Sequence, residues 1–240
     1  MAASETRRAG TFPARFAISA EMKSSPLPFG LILAGGYGRR MGETRLEMGM
    51  AEGAVPPARP LKPLVLLGDK PLIGHVIARL RPQVSQLLIN ANEPTAPFAA
   101  FGLPIIADNL PGRPGPLAGV LAGLDWLALN APEAPLLTVP ADTPFLPTDL
   151  VERLMMSQKQ SGRISCAASN GQNHHVIALW PASVRGALRV ALEAGNRKVG
   201  AILDTLQVVS ESWDGAAGDP FFNVNTAEDL AVARLRLPAE

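Results

Sequence analysis

The sequence predicts an α/β protein with a mostly parallel central sheet that is covered by helices on both faces. Short apolar runs at 29–34, 85–92 and 135–142 alternate with longer stretches whose apolar residues recur at helical spacing. Apolar runs of this kind are typical of strands that are buried on both faces, as in parallel sheets. The alternation of the two patterns along the chain therefore favours a layered α/β architecture.

Each predicted element has its own local signal. Apolar runs predict strands at 29–34, 85–92, 103–108, 135–142, 163–169, 174–180, 208–212 and 221–225. Helical spacing predicts helices at 71–81, 115–129, 146–158, 182–195, 198–206 and from Thr226 onward. Pro116 suits a first helical turn, and Thr148 and Thr226 are placed to cap the helices that follow them.

Composition narrows the classes of protein to which this chain can belong. Hydrophobic residues make up 47% of its 240 residues and charged residues 18%, which is typical of a globular domain with a sizeable core. The net charge of +1 disfavours nucleic acids and membrane surfaces as partners. Residues 1–45 nevertheless hold seven Lys/Arg against three Asp/Glu, which favours a small anionic ligand near the start of the fold.

The chain is expected to form a loosely ordered extension at 1–28 and one domain at 29–240. Within that domain the Gly-, Pro- and Met-rich stretch 43–61 is longer than a usual connection, and we expect it to be a mobile insertion. The single cysteine, Cys166, is expected to be a small buried residue of a strand. A lone cysteine is consistent with a reducing, cytoplasmic compartment, and no apolar run approaches the length of a membrane span.

The segment "LILAGGYGRRMG" at 31–42 joins a buried strand to glycines and arginines. Ligands of parallel α/β sheets bind at the carboxyl ends of the strands. There, Gly35 and Gly36 would offer unobstructed backbone N–H groups to a phosphate, and Arg40 would add a forked donor. A tight turn with solvated arginines is the alternative. A dinucleotide-binding fingerprint would need glycine where Met41 stands, and the G-K-[ST] of a P-loop is absent.

Further polar side chains follow other predicted strands on the same rim. Asn90 and Asn92 can exchange hydrogen bonds with a base or ribose, and Asp108 can accept them; turn or cap roles are the alternatives. Asp142 ends the most hydrophobic strand of the middle region, and a carboxylate beside phosphates suits Mg²⁺, with a local cap as the alternative. Lys62 can offer a point charge to phosphates, although taken alone its position is more typical of a surface lysine.

Several of these segments occur together in an order that resembles one family. They are "LILAGGYGRRMG", Lys62 eight residues before the "KPL" at 70–72, "INAN", "GPLAGVLAGL", "PADTPFLPTDL" and "FFNVNTAEDL". Together, over about 30–237, they are similar to the molybdenum cofactor guanylyltransferase family, MobA. The resemblance implies a Rossmann-like three-layer sandwich of the nucleotidyltransferase type. Relative to that family, the stretch 43–61 is an insertion.

The resemblance also implies roles for individual positions. Backbone groups of the opening turn and several side chains would hold the nucleotide: Leu33, Ala34, Gly35, Gly36, Lys62, Asn90, Asp108 and Asp142. Asp142 would in addition bind Mg²⁺. Asn223 and Asn225 would border the pterin substrate, although from the residues alone they are equally typical of a turn before a helix.

The implied reaction joins GTP to molybdopterin that carries molybdenum, and it yields the guanine dinucleotide cofactor and pyrophosphate. Its nucleophile is a phosphate oxygen that is already anionic, so no Ser/His/Asp or Cys/His arrangement is needed, and the sequence shows no pattern for one. Catalysis would rest on positioning and on charge stabilisation by Mg²⁺, Asp142, Lys62, Arg40 and loop amides. The implied partners are GTP, molybdenum–molybdopterin, the molybdenum-insertion protein and molybdoenzyme chaperones.

Other functions stay open beside this one. A cytidylyltransferase acting on the same pterin would use the same chemistry, but "LAGG" and "DTPFLP" resemble the guanylyl branch. A sugar-phosphate nucleotidyltransferase is a further relative, and a non-catalytic nucleotide-binding delivery module would keep the pocket without turnover. A dinucleotide-dependent dehydrogenase is disfavoured by the glycine spacing and by the missing acidic residue about 20 positions further on.

Overall fold

The computed structural model describes residues 26–35, 61–92, 94–110, 115–195, 199–216 and 218–237. Its strands are β1 (Phe29–Leu33), β2 (Leu66–Leu67), β3 (Lys70–Pro71), β4 (Gln86–Asn90), β5 (Ile105–Ile106), β6 (Leu136–Pro140), β7 (Ser165–Ser169), β8 (Gln172–Trp180) and β9 (Val209–Trp213). Its α-helices are α1 (Leu72–Leu80), α2 (Pro116–Asn130), α3 (Leu150–Ser161), α4 (Arg185–Glu193), α5 (Val199–Thr205) and α6 (Ala227–Leu235).

A seven-stranded sheet with the order β5-β4-β1-β6-β8-β7-β9 forms the centre of the fold. Strands β5, β4, β1 and β6 are parallel neighbours, and so are β7 and β9. Strand β8 runs antiparallel to both β6 and β7. The predicted α/β architecture with a mostly parallel sheet is therefore confirmed, with β8 as the strand of opposite direction.

The two faces of the sheet carry separate hydrophobic cores. Ile32, Ile89 and Val139 pack on one face with buried residues of α1 and α3. Leu31 and Leu88 directly precede Ile32 and Ile89 in the chain, and they pack on the other face with α2, α4 and α5. Because side chains of a strand alternate between faces, these apolar runs fill both cores at once. The result is the expected three-layer sandwich.

A smaller core attaches the hairpin of β2 and β3 to the last helix. Leu67 and Leu72 pack there with Val224, Leu230 and Ala233. Helix α6 begins with a capping box, in which Thr226 accepts from the Asp229 N–H and Asp229 accepts from the Thr226 N–H. The predicted cap at Thr226 is confirmed. The packing of this core also places the segment before α6 next to Lys62.

Three local predictions need correction. Helix α3 has Asp149, not Thr148, at its cap position, and no side chain caps it there. The predicted strand at 103–108 is reduced to Ile105–Ile106, because only those residues pair with β4. The run 221–225 is not a strand: its polar groups bond to other loops instead of to a neighbouring strand.

Some sequence predictions lie mostly or wholly beyond the described ranges. The extension at 1–28 is described only at 26–28, and the insertion at 43–61 only at residue 61. Gly36 and Arg40 fall outside the described residues. Within the part of the chain that is described, no helix combines the length and the apolar character needed to cross a membrane.

Candidate active site at the carboxyl ends of the parallel strands

A pocket of about 370 Å³ opens where the parallel strands end. Its lining includes Leu33, Gly35, Asn90, Asn92, Asp108 and Asp142. Strands β1, β4 and β6 end in register, since Leu33 pairs with Asn90 on one side and with Pro140 on the other. The residues that follow these strands therefore meet at one edge of the sheet, as the sequence predicts.

The end of β1 places Gly35, the first glycine of the segment at 35–38, in this pocket. The Ala34 N–H donates to the Asn90 carbonyl at 2.8 Å, and the Ala141 N–H donates to the Leu33 carbonyl at 3.1 Å. These bonds hold Leu33, Ala34 and Gly35 between the neighbouring strand ends. Gly35 faces Asn92, whose Nδ2 lies 3.8 Å from the position that a Cβ of residue 35 would take.

A hydrogen-bond network orients the carboxylate of Asp108. Asn90, which is 4% exposed, donates through Nδ2 to Asp108 Oδ1 at 3.0 Å and to the Ile106 carbonyl at 3.2 Å. Asn92 donates through Nδ2 to Asp108 Oδ2 at 2.9 Å and accepts the Asp108 N–H at 3.0 Å. Each carboxylate oxygen has a second lone pair, so Asp108 keeps acceptor capacity toward the pocket that it lines.

Helix α2 leaves room for this network by having glycine at position 119. A Cβ on Gly119 would lie 2.2 Å from Asn90 Oδ1 and 2.8 Å from Leu33 Cδ2. Both distances are far below van der Waals contact, so no larger residue fits without displacing Asn90 or Leu33. The small residue in "GPLAGVLAGL" thus supports the position of the strand ends.

Lys62 connects two loops beside the pocket. Its Nζ forms an ion pair with Asp142 Oδ2 and donates to Asn225 Oδ1 at 2.6 Å. The side chain of Lys62 is 11% exposed and that of Asp142 is 19% exposed, so the pair is largely shielded from water. The other oxygen of Asp142, Oδ1, is buried and has no hydrogen-bond partner. An ionised carboxylate with one unpaired oxygen is available to a cation.

The loop before α6 is fastened to the segment after β6. Thr143 donates through Oγ1 to Asn223 Oδ1 at 2.5 Å, and the Val224 N–H donates to the Asp142 carbonyl at 3.0 Å. Asn225 also donates its backbone N–H to Asp229 Oδ2 at 2.8 Å. The structure therefore brings Lys62, Asp142, Asn223 and Asn225 together, whereas their roles toward a ligand stay predictions.

The sequence does not predict the contacts of Thr143 or of the polar residues at the β7–β8 hairpin. Thr143 is fully buried and directly follows Asp142 in "PADTPF", so its place in that motif is a usable signal. Ser169, His174 and Asp219 also meet, although the sequence shows no pattern for a Ser/His/Asp arrangement. Their order is not that of a catalytic triad, because Asp219 bonds to the serine and not to the histidine.

The pocket lies at the carboxyl ends of parallel strands, where α/β sheets bind their ligands, and the family that the sequence matches places the chain in the nucleotidyltransferase class. The chain belongs to the MobA-like NTP transferase domain family, which it matches over residues 30–209. A molybdenum cofactor guanylyltransferase of Bradyrhizobium sp. is 44% identical over 85% of this chain and 90% of that relative. Another, from Rhodopseudomonas palustris, is 45% identical over 88% of this chain and 95% of the relative.

A solved structure shares the same fold. Molybdopterin-guanine dinucleotide biosynthesis protein A from Archaeoglobus fulgidus superposes with a TM-score of 0.64 over 86% of this chain and 97% of its own. The two sequences are 24% identical, so this likeness concerns the fold. The family resemblance found in the sequence is confirmed by the sequence relatives.

Proposed function

We propose that this chain is a molybdenum cofactor guanylyltransferase, which transfers GMP from GTP to molybdenum–molybdopterin and releases pyrophosphate. The observation that carries the proposal is the meeting of Lys62, Asp142 and Asn225 beside the strand-end pocket. It occurs in a chain whose similarity to relatives of that name extends over 85–88% of its length.

The pocket suits a purine nucleotide in this proposal. Asp108, oriented by Asn90 and Asn92, offers acceptor oxygens for N–H groups of a base or O–H groups of a ribose. The backbone of Leu33, Ala34 and Gly35 lies at the same strand ends and would approach the phosphates. Gly36 and Arg40 continue that turn in the sequence and are proposed as further phosphate-binding residues.

The residues present also fit Mg²⁺. Asp142 Oδ1 is a buried hard oxygen without a partner, and the described part of the chain holds no group of three or more His, Cys, Asp or Glu that could bind a metal by itself. Mg²⁺ commonly takes one or two carboxylates and completes its shell with water and substrate phosphates. Asp142 would hold the ion, which when bound would offset negative charge on the triphosphate and the departing pyrophosphate.

The protein's own groups would act by positioning and charge. Lys62, held between Asp142 and Asn225, is placed to offer its ammonium to phosphate oxygens. Asn223 and Asn225 lie on the loop that contacts Lys62, Asp142 and Thr143, and they are proposed to contact the pterin substrate. The attacking phosphate oxygen of that substrate is already ionised, so no side chain has to remove a proton from it.

The test is to incubate the protein with GTP, Mg²⁺ and molybdenum-loaded molybdopterin and to measure pyrophosphate and the guanine dinucleotide. We expect both products with GTP, and little of either with CTP in its place. Product formation with CTP instead would favour the cytidylyl alternative. Nucleotide-dependent thermal stabilisation without any pyrophosphate release would favour a binding module.

A further inference from the structure

A polar cluster centred on the buried Ser169 lies at the tip of the β7–β8 hairpin. Ser169, which is 1% exposed, has its Oγ 2.7 Å from His174 Nε2 and 2.7 Å from Asp219 Oδ1. A serine hydroxyl has one hydrogen, and an ionised carboxylate can only accept. Ser169 therefore donates to Asp219 and accepts from the N–H of His174 Nε2, so the hydrogen bonds run from histidine to serine to aspartate.

The aspartate of this cluster sets the start of the loop that leads to α6. Asp219 Oδ1 also accepts the Phe221 N–H at 2.9 Å, and the Asp219 carbonyl accepts the Phe222 N–H at 3.3 Å. The Phe221 ring is buried against the ring of His174, with centroids 4.8 Å apart, and meets Trp213 edge-on at 5.2 Å. The turn at 219–222 is thus held both by hydrogen bonds and by aromatic packing.

The same loop carries the asparagines of the proposed substrate side only a few residues further on. Asn223 accepts from Thr143, and Asn225 accepts from Lys62. A displacement of about 1 Å in such a group can lower a rate by about 10²-fold, because reacting groups must be held in a narrow geometry. A hydrogen-bonded anchor at Asp219 would therefore affect the positions of Asn223 and Asn225 relative to a bound substrate. Ser169 would act on them only through Asp219, without contacting that substrate.

We propose that Ser169, supported by His174, is a positioning residue: through Asp219 it sets the placement of Asn223 and Asn225 and thereby the binding of the acceptor substrate. The effect on the acceptor rests on the proposed function, whereas the anchoring of the loop does not. Asn90, Asn92 and Asp108 line the nucleotide pocket from other segments. Lys62 and Asp142 do contact the loop, so binding of GTP should be less sensitive to Ser169 than binding of the acceptor, but not independent of it.

The chain offers a matched control on the same strand. Ser165 is also fully buried in β7, but its hydroxyl has no hydrogen-bond partner. Ser165→Ala and Ser169→Ala remove the same atom from equally buried sites, yet only Ser169→Ala breaks the connection to Asp219. A second pair separates geometry from charge, since Asp219→Asn keeps an acceptor oxygen and Asp219→Ala removes it.

Hydrogen exchange of the ligand-free protein tests the anchoring directly. We expect the amides of Phe221 and Val224 to exchange roughly three- to tenfold faster in Ser169→Ala and Asp219→Ala, as expected for loss of about one hydrogen bond. Ser165→Ala and Asp219→Asn should exchange as the wild type does. Equal exchange in Ser169→Ala and Ser165→Ala would overturn the inference.

Steady-state kinetics with separate titrations tests the consequence for binding. In Ser169→Ala we expect the KM for molybdenum–molybdopterin to rise about tenfold or more, with the KM for GTP changed by less than about twofold. Equal increases in both constants, or no increase in either, would contradict a positioning role toward the acceptor. A wild-type protein that makes no dinucleotide would contradict the proposed function instead, and the exchange measurement would still decide the anchoring.

Discussion

Lys62 donates a 2.6 Å hydrogen bond to Asn225 across a separation of 163 residues in the chain. The same ammonium is paired with Asp142, so one cation joins the strand-end pocket to the loop that precedes α6. The groups that we propose to bind phosphate and acceptor are therefore linked by a shared partner. A substitution of Asp142 should therefore alter both the strand-end pocket and the loop before α6.

Replacement of Asp142 by asparagine should abolish most turnover. Asp142→Asn keeps the size of the side chain but removes the charge that pairs with Lys62 and that would hold Mg²⁺. We expect kcat for GMP transfer to fall by about 10²–10³ or more, measured as pyrophosphate release at saturating GTP. Asp69→Asn, at an exposed carboxylate on the β2–β3 turn, is the control and should leave kcat unchanged. Near-normal Mg²⁺-dependent turnover by Asp142→Asn would refute the assignment of this carboxylate.

A methyl group at position 119 should weaken nucleotide binding. In Gly119→Ala the new Cβ would overlap Asn90 Oδ1 and Leu33 Cδ2, so the strand ends must shift although alanine favours the helix. We expect the Kd for GTP, measured calorimetrically, to rise about tenfold, equivalent to the loss of one good hydrogen bond.

The control for that change is another helical glycine. A Cβ at Gly186 in α4 would meet nothing within 4 Å, so Gly186→Ala should leave GTP binding unchanged and raise stability slightly. If Gly119→Ala bound GTP as tightly as Gly186→Ala does, Asn90 would not be part of the nucleotide site or would not need its present position.

Stability should fall on mild acidification because of His174. Burial lowers the pKa of His174 below its usual 6.5; His175 acts in the same direction and Asp219 opposes both. The unfolded chain then binds more protons than the folded protein between the folded-state pKa and 6.5. This contribution to the free energy of unfolding is fully present above pH 6.5, and it is lost as the pH falls through the lowered pKa that His174 has in the folded protein.

The measurement is the free energy of unfolding in denaturant between about pH 5 and about pH 8 for the wild type and for His174→Gln. Glutamine keeps an N–H donor toward Ser169 but does not titrate, so its stability should depend less on pH in this range. Identical slopes in the wild type and in His174→Gln would show that His174 does not contribute.

Cys166 should be unreactive in the folded protein. Burial raises the pKa of its thiol to about 12, so the reactive thiolate is scarce at neutral pH, and the side chain is fully enclosed. A thiol-specific reagent should label the native protein at least about 10²-fold more slowly than the protein unfolded in guanidinium. Rapid labelling of the native state would mean that β7 opens readily.

The layered fold follows from local patterns in the sequence. The alternation of apolar runs with helical spacing depends on neighbours along the chain, which is why β1, β4, β6 and the main helices were predictable. The location of the site could also be inferred, because the carboxyl ends of parallel strands lie at one edge of the sheet. That arrangement brings Leu33, Asn90 and Asp142 into one pocket. The capping box at Thr226 is a local signal of the same kind.

Contacts between distant segments were decided only by the folded chain. The apolar run at 221–225 resembles a strand, but in the fold it lies outside the sheet, and its asparagines accept hydrogen bonds from Thr143 and Lys62. Ser169, His174 and Asp219 carry no shared motif, because hydrogen bonds between side chains of separate segments, here β7, β8 and the loop at 219, are not reflected in the residue spacing of any one segment. Residue type and spacing report which groups can bind, whereas packing of the helices on the sheet determines which of them meet.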